Sequence, residues 1–392
     1  MKRIGLCVVL YNNNFGSMLQ SYATMRILDE MEYDYELLRY KKKYTPLFIL
    51  KSLPRVFNPI TINDKKLLIQ KKLLMLFHSD IKKLNNARNK KFEEFRNNNF
   101  KNYGDVAHGY KELVEIGNKY DGYMVGSDQL WSPSGLATKF YNLMFVDKGK
   151  IKISYASSFG VKVIPKYQEK RTKKYLERIQ YISTREISGQ KIVKDLIKKD
   201  VPVVLDPTLL LDSNKWDEIL KKENIIKMPY IFAYFLGTNS EHRKRVQELS
   251  QKTGLKIVTI RHMDQYVESD NEFGDIAPYE VGPTEFVNLI RYAEFVCTDS
   301  FHGSVFSIIN HKKFLIFNRY SNDSRVSKNS RIDSLCTNLN IQDRRYVNQD
   351  IYEAIDKEID YVKIDEIVDK MRNDSKMYLK NALSKIVDSS SI

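Results

Sequence analysis

Short apolar runs alternate with amphipathic stretches along the chain, and this alternation predicts β-strands connected by helices. The first apolar run, residues 3–10, leads through a polar turn at 12–16 into helical spacing of apolar residues over 17–31, with Ser17 as the expected N-cap. A second run at 35–39 completes a β-α-β unit. Further strands are predicted at 121–126, 152–156, 181–184 and 203–207, with a basic helix at 165–179.

A second series of the same kind begins near residue 230. Its predicted strands are 230–236, 255–261, 295–298 and 314–317, and its predicted helices are 240–252, 284–293 and 303–310. The predicted fold class is therefore α/β, with two doubly wound, Rossmann-like domains facing a cleft. The expected division is residues 1–210 for the N-terminal domain, 211–364 for the C-terminal domain and 365–392 for a terminal helix.

One segment, about 41–100, interrupts the first series and is predicted to be a basic helical insertion in the N-terminal domain. Amphipathic helices are expected at 64–77 and 81–95, with lysines opposite the apolar stripe. The net charge of the chain is +15, and residues 41–90 hold most of this excess, with 13 basic against 2 acidic residues. Such a basic surface suits nucleic acid, an anionic lipid surface, or water alone.

The composition excludes several classes of protein and of site. With 42% hydrophobic and 29% charged residues over 392 positions, the chain is expected to form a packed, soluble protein. The three cysteines lack paired spacing, so neither a disulfide framework nor a cysteine zinc site is predicted, and a reducing cytoplasm is the expected location. No other metal site is predicted, since the six histidines are scattered and Asp206 is a lone acid beside Pro207. No stretch approaches the ~20 apolar residues of a membrane span.

The stretch CTDSFHGS, residues 297–304, is the most informative part of the sequence. It follows an apolar strand and opens an apolar helix, so its side chains are expected beside a helix N-terminus, where an anion is favoured. His302 is accordingly a candidate general acid near a bound phosphate or carboxylate. The alternative is a histidine that caps the helix or fills a polar position of the core. Asp299 is expected to cap this helix or to orient the imidazole, and capping is favoured.

Two other strand-to-helix turns offer polar groups to a ligand. Asn14 and Gly16 lie in the first such turn, whose backbone amides suit an anion. Ser127 and Asp128 follow Gly126 in another, for which a structural Asx turn is the alternative. Neither turn has the GxGxxG sequence or that of a phosphate-binding loop.

Arginines and lysines at strand ends are candidates for binding the charged part of a substrate. Arg185 directly follows the predicted strand 181–184, and its guanidinium suits a carboxylate or a phosphate. The alternatives for Arg185 are a salt bridge to Glu186 or a surface position. A cationic loop follows the last strand, and a solvated charge run is its alternative. The cations of this loop are Arg319, Arg325, Lys328 and Arg331.

Taken together, these segments resemble the polysaccharide pyruvyl transferase family. The likeness covers roughly residues 1–340 and lies in the order and spacing of several short pieces, with the basic insertion and the terminal helix outside it. The pieces are NFGSxLQxYA from Asn14, GSDQxW from Gly126, SYAS from Ser154, SxRE from Ser183, DPT from Asp206, TDSFHG from Thr298 and SRI from Ser330.

The resemblance implies a fold similar to the GT-B glycosyltransferases and a ketal-forming transferase. Phosphoenolpyruvate would donate its pyruvyl carbon to two hydroxyls of one sugar and release phosphate, without a metal or an organic cofactor. The acceptor is expected to be a sugar of a surface polysaccharide or of its lipid-linked precursor, at the cytoplasmic leaflet of the membrane. His302 then matches the acid, Arg185 an anion clamp, and the cations of 319–331 a second clamp.

The resemblance also assigns candidate site residues to the two substrates. Several branches of the family carry an arginine two residues before the histidine, where this chain has Ser300. Arg331 is the expected replacement, with Arg325 and Lys328 behind it. The expected donor-binding residues are Arg185, Arg331, Arg325, Lys328, Ser300 and Gly303. The expected acceptor or cleft turns contain Asn14, Gly16, Ser127, Asp128, Asp206 and Asp299.

Two other functions stay open at this point. A GT-B glycosyltransferase with a nucleotide-sugar donor would share the basic diphosphate site. A non-catalytic nucleic-acid-binding protein would use the basic segment, but no recognised binding motif accompanies it, and no nucleic acid partner is expected. Peripheral contact with an anionic membrane is a further hypothesis for this segment, since each basic residue near such a surface contributes ~1 kcal/mol.

Overall fold

The computed structural model describes residues 2–46, 50, 69, 79–133, 139–261, 267–320 and 329–388. The chain forms two compact units. The first unit comprises Met1–Asn58, Asn99–Leu211 and Ile367–Ile392, and the second comprises Pro59–Asn98 and Asp212–Glu366. The division after Leu211 lies one residue from the boundary expected from the sequence.

The first unit is built on a six-stranded, all-parallel sheet of order β3-β2-β1-β4-β5-β6. Its strands are β1 (Arg3–Cys7), β2 (Asp34–Lys41), β3 (Tyr103–His108), β4 (Gly122–Val125), β5 (Ile151–Ser157) and β6 (Tyr181–Thr184). The central strands β1 and β4 are buried along nearly their whole length, as parallel strands covered on both faces must be. The strand order reverses between β1 and β4, and such a switch point is where open parallel sheets bind ligands.

The second unit is built on a four-stranded, all-parallel sheet of order β10-β9-β7-β8. Its strands are β7 (Tyr230–Tyr234), β8 (Lys256–Thr259), β9 (Phe295–Thr298) and β10 (Lys313–Ile316). Every residue of β7 is buried, and Trp216 and Phe306 pack edge to face in the same unit. This sheet carries the CTDSFHGS stretch at the carboxyl end of β9, as the sequence predicts.

Thirteen helices accompany these strands in the described part of the chain. They are α1 (Phe15–Glu30), α2 (Ser79–Asn99), α3 (Tyr110–Ile116), α4 (Lys166–Leu176), α5 (Ile187–Ile197), α6 (Pro207–Leu210), α7 (Ser213–Ile219), α8 (Ser240–Thr253), α9 (Pro283–Arg291), α10 (Phe301–Ile309), α11 (Ser330–Asn338), α12 (Ile351–Asp356) and α13 (Tyr361–Asp388). Gly254 ends α8 in the left-handed conformation that glycine adopts at low cost. Among the described residues, no helix combines the length and the apolar character needed to cross a membrane.

Two local predictions in the first unit are wrong, each for an identifiable reason. The N-cap of α1 is Asn14 and not Ser17, because the Asn14 Oδ1 accepts a hydrogen bond from the Ser17 backbone N–H at 3.1 Å. Residues 203–207 form a single bridge to β6 and no strand, since Asp206 caps α6 and Pro207 occupies its first turn.

The described helix of the basic insertion, α2, belongs to the second unit, whereas the sequence predicts the insertion to be part of the N-terminal domain. The buried Arg88 guanidinium donates to the carbonyl oxygens of Arg261, at 2.9 Å, and Tyr279, at 3.3 Å. Lys91 pairs with Glu285 at 3.2 Å. These long-range contacts have no signature in the local sequence pattern. Apart from residue 69, the predicted helix at 64–77 lies outside the described residues.

His242, on α8, is a buried histidine of the second unit, packed against the rings of Phe235 and Phe317. Burial first, and then the neighbouring Arg243, lower its pKa from 6.5 to about 4. Because the folded pKa lies below the unfolded pKa, the unfolded chain binds more protons as the pH falls. The stability that the neutral His242 contributes is therefore fully present above pH 6.5 and is lost as the pH falls toward 4.

We expect the variant His242→Gln, which cannot titrate, to lose less stability than the wild type between pH 7 and pH 5. The difference should be about 2 kcal/mol, from 1.36 kcal/mol per pH unit below the unfolded pKa. Thermal unfolding of both proteins at the two pH values measures it. Equal losses in the two proteins would show that His242 is protonated as easily in the folded state as in the unfolded chain.

Candidate functional site

The turn after β9 holds His302 close to the start of α10. Ser300 is the N-cap, and its Oγ accepts from the Gly303 backbone N–H at 3.2 Å. His302 is only 7% exposed, and its ring meets that of Phe301 edge-on with centroids 5.1 Å apart. A Cβ on Gly303 would lie 2.6 Å from Thr298 Oγ1, so only glycine allows this close approach of helix and strand.

Asp299 does not cap α10, contrary to the favoured prediction. Its carboxylate accepts hydrogen bonds from the backbone N–H groups of Leu236, at 2.6 Å, and Gly237, at 2.8 Å. The loop after β7 is thus held against the turn after β9. The reason is topological, since β7 and β9 are neighbours in the sheet and their carboxyl ends meet at one edge.

Two of the four cations expected after the last strand lie at this same edge. Arg331, in the first turn of α11, has its Cζ 5.8 Å from the centroid of the Phe301 ring, next to His302 in the chain. Arg319 packs beside Gly237, where a Cβ would lie 3.2 Å from Arg319 Cγ and 2.8 Å from an Asp299 carboxylate oxygen. The other two, Arg325 and Lys328, lie outside the described residues.

In the first unit, Arg185 forms a buried ion pair with Asp206. The Arg185 Nη1 lies 2.5 Å from the Asp206 Oδ2, and both side chains are at most 1% exposed. Ser127 Oγ donates to the same carboxylate oxygen at 2.8 Å, and Thr208 Oγ1 donates to the other oxygen at 2.7 Å. The surface alternative for Arg185 is therefore excluded, and its expected role in donor binding stays a prediction.

The Arg185 guanidinium keeps its charge despite its position. Burial alone would lower its pKa, but the carboxylates of Asp206, Asp128 and Glu186 together raise the pKa above the ordinary value. Glu186 receives its own hydrogen bonds at one oxygen, from Ser158 Oγ at 2.9 Å and from the backbone N–H groups of residues 159 and 160. The cluster thus brings one arginine and three carboxylates to the carboxyl edge of this sheet.

Asp128 follows β4 at the switch point of this sheet and is partly exposed. Its backbone φ is +90°, a conformation that a residue with a side chain rarely adopts. Its Oδ2 accepts from Ser17 Oγ at 2.6 Å, and its Oδ1 accepts from the Gln129 backbone N–H at 2.7 Å. Asn14 and Gly16 lie at the start of α1, so Ser17 connects their turn with the Asp128 turn.

Comparison with known sequences shows which family this chain resembles. The sequence model of the polysaccharide pyruvyl transferase family matches residues 14–322, most of the chain. The chain belongs to this family. No curated protein sequence matches it.

Solved structures resemble this polysaccharide pyruvyl transferase family member along its whole length. The UDP-N-acetylglucosamine 2-epimerase from Rickettsia bellii is 11% identical, with a TM-score of 0.52 over 99% of this chain and 96% of that chain. The UDP-GlcNAc 2-epimerase from Methanocaldococcus jannaschii, in complex with UDP-GlcNAc and UDP, is 12% identical, with a TM-score of 0.51 over 98% of this chain and 99% of that chain. The predicted fold class, α/β of the two-domain GT-B type, is confirmed.

Two residues that shape the carboxyl edges of the two sheets, Thr298 and Glu186, are not among the site residues that the sequence predicts. Thr298 Oγ1 accepts a hydrogen bond from the Ser300 backbone N–H at 3.1 Å and donates one to the Tyr234 carbonyl at 2.7 Å. These two hydrogen bonds hold the turn that carries His302 in place. The Glu186 carboxylate organises the loop after β5. A polar residue at the last position of an otherwise apolar strand, as Thr298 is, was the available signal.

Proposed function

We propose that this protein transfers the pyruvyl group of phosphoenolpyruvate to two hydroxyls of one sugar, forming a cyclic pyruvate ketal and releasing phosphate. Membership of the polysaccharide pyruvyl transferase family supports the transferase class. The observation that carries the finer proposal is the arrangement of His302 and Arg331 at one edge of the second unit's sheet. A proton donor and a fixed cation beside a helix N-terminus are what an anionic enol donor requires.

The reaction balances without an oxidant or a cofactor. A proton added to the methylene carbon of phosphoenolpyruvate makes a methyl group and leaves the neighbouring carbon electrophilic. One sugar hydroxyl adds to this carbon, the bond from carbon to the phosphate oxygen breaks, and the second hydroxyl closes the ketal ring. Two hydroxyl protons are lost, of which one balances the proton taken up by the methyl group and the other leaves with phosphate.

The second unit supplies groups that suit the donor in this proposal. In the second unit, His302 gives the proton to the methylene carbon, and Arg331 and Arg319 balance the carboxylate and phosphate charges of the donor. The backbone N–H groups at the start of the nine-residue helix α10 also favour the anionic donor.

The acceptor we propose is a sugar of a surface polysaccharide or of its lipid-linked precursor, handled in the cytoplasm at the inner face of the membrane. Lys82, Lys83 and Lys90 are exposed on α2 and give the described part of the basic insertion a cationic surface. Such a surface attracts anionic lipid headgroups. Flotation with liposomes of increasing anionic lipid content tests this location, and binding that is independent of that content contradicts it.

Donor choice is the quickest test of the proposed function. Phosphoenolpyruvate should raise the thermal unfolding midpoint of the purified protein, because a ligand that binds only the folded state stabilises it. Nucleotide sugars, including UDP-GlcNAc, should not. Stabilisation by a nucleotide sugar and none by phosphoenolpyruvate would replace the proposal with a glycosyltransferase.

A further inference from the structure

Helix α4 and the loop before it form a strongly cationic surface on the first unit. Residues 162–174 contain six exposed lysines and arginines but a single acidic residue, the exposed Glu169. The helical spacing places Lys166, Lys170 and Lys174 in one row on the outward face of α4. The six cations are Lys162, Lys166, Lys170, Arg171, Lys173 and Lys174.

The fold leaves much of this charge without a neutralising partner. Lys173 pairs with Glu177 at 3.8 Å, whereas Lys170 and Lys174 form no ion pair within the described part of the chain. Like charges four residues apart on a helix repel each other. Lys166, the first residue of α4, also opposes the positive end of the helix dipole. The helix therefore carries an electrostatic cost that an anionic partner would remove.

Helix α8 of the second unit shows the more usual arrangement of surface charge. Its Lys244 pairs with Glu241 at 2.6 Å, and its Arg245 pairs with Glu248 at 2.8 Å. Charges of both signs along one face are typical of a helix that meets only water. The single sign of the charge on α4 is therefore a property of this helix and not of the basic chain as a whole.

Two apolar side chains are exposed among the cations of this surface. Val163 is 75% exposed in the loop before α4, and Tyr167 is 60% exposed in its first turn. The opposite face of the helix is fixed in the unit, since Thr172 is fully buried and the Tyr175 ring lies 5.6 Å from the ring of Trp131. The surface is therefore a rigid combination of cations, one aliphatic side chain and one aromatic side chain.

This surface adjoins the carboxyl edge of the first unit's sheet. The loop that carries Val163 follows β5, and its first residue, Ser158, donates its backbone N–H to the Asp128 carbonyl at 3.0 Å. The Ser158 carbonyl in turn accepts a hydrogen bond from the Trp131 backbone N–H at 3.1 Å. The cationic surface thus begins at the edge where open parallel sheets bind their ligands.

We propose that α4 and the loop before it bind the surface of an anionic membrane, with the cations at the lipid headgroups and Val163 and Tyr167 in the boundary between headgroups and acyl chains. Basic residues are attracted to anionic headgroups, and tyrosine is enriched at membrane interfaces. A nucleic acid would neutralise the cations but leave Val163 in water, so a lipid surface accounts for more of the patch. The inference rests on the proposed location at a membrane and is independent of the proposed reaction.

A tryptophan at position 163 tests where the membrane touches the protein. The chain has two tryptophans, Trp131 and Trp216, and both are buried. In Val163→Trp, we expect vesicles of phosphatidylcholine and phosphatidylglycerol to shift the emission to shorter wavelength, and brominated lipid to quench it. Val347→Trp, at a valine that is 70% exposed on the second unit, is the matched control and should show neither effect.

Charge neutralisation tests the same contact without a fluorescent probe. The double variant Lys170→Gln, Lys174→Gln should partition onto these vesicles about 30-fold more weakly, the usual contribution of two basic residues at an anionic surface. The double variant Lys111→Gln, Lys191→Gln removes the same charge from exposed positions elsewhere on the first unit and should partition nearly as the wild type does.

Each possible failure has a separate meaning. An unchanged emission at position 163, or equal partition of the two double variants, overturns the inference even if the wild type binds vesicles through α2. Retention on duplex DNA that the Lys170→Gln, Lys174→Gln variant abolishes, without vesicle binding, would replace the membrane with a nucleic acid. Neither measurement involves phosphoenolpyruvate, so failure of the proposed reaction leaves this result standing.

Discussion

Replacing His302 with glutamine is expected to lower the rate of ketal formation by about 10²–10⁴-fold, the usual contribution of a positioned general acid. Glutamine offers an amide of similar length but no proton that it can give up to carbon. The His302 side chain is nearly buried beside Phe301, so a water molecule has little room to take over its role as proton donor. Phosphate release and ketal formation, followed together, measure the effect.

Two controls make the His302→Gln result specific. His108→Gln alters an exposed histidine of the first unit and should leave the rate unchanged. Stabilisation by phosphoenolpyruvate should persist in His302→Gln, because the donor's charges are balanced by Arg331 and Arg319. A variant that folds, binds the donor and still forms ketal at the wild-type rate would remove His302 from the role of acid.

Replacing Arg185 with methionine is expected to destabilise the first unit by about 3–5 kcal/mol. Methionine has nearly the same length but no charge, so the buried Asp206 carboxyl group is left without its partner, with Asp128 and Glu186 nearby. A buried, uncompensated carboxylate carries a large desolvation cost. Denaturant unfolding of the wild type and the variant measures the loss.

An exposed ion pair serves as the matched comparison for Arg185→Met. Lys194 and Asp200 lie 2.8 Å apart with side chains 60% and 76% exposed, and Lys194→Met should cause no measurable loss. Adding Asp206→Asn to Arg185→Met should restore part of the stability, since it removes the carboxylate charge that the first change leaves unpaired. Wild-type stability of the single variant would show that the ion pair does not hold the first unit together.

Local pattern alone located the elements that carry the candidate site. β6 and β9 begin and end at the residues that their short apolar runs predict, because the flanking residues are polar or begin a helix. β3 was not predicted, since only Gly104 and Ala107 of its six residues are buried and its pattern resembles a loop. Periodicity reports burial, so strands that are mostly exposed leave little trace in the sequence.

Contacts between distant residues could not be predicted in the same way. Arg185 pairs with Asp206, 21 residues later, and not with its neighbour Glu186. Asp299 binds amides more than 60 residues earlier and leaves the N-cap of α10 to Ser300. In each case the partner is chosen by which strand ends are adjacent in the sheet, a property that the topology determines and that local spacing does not encode.

The most direct test of the central claim follows the oxygen that bridges carbon and phosphorus in phosphoenolpyruvate. The donor is prepared with a heavy isotope at that oxygen and incubated with the protein and a pool of soluble and lipid-linked glycans. Pyruvyl transfer breaks the carbon–oxygen bond, so the label should appear in phosphate, together with a glycan that has gained one pyruvyl ketal. A label that stays with free pyruvate, with no change in any glycan, would mean phosphate hydrolysis and would contradict the account.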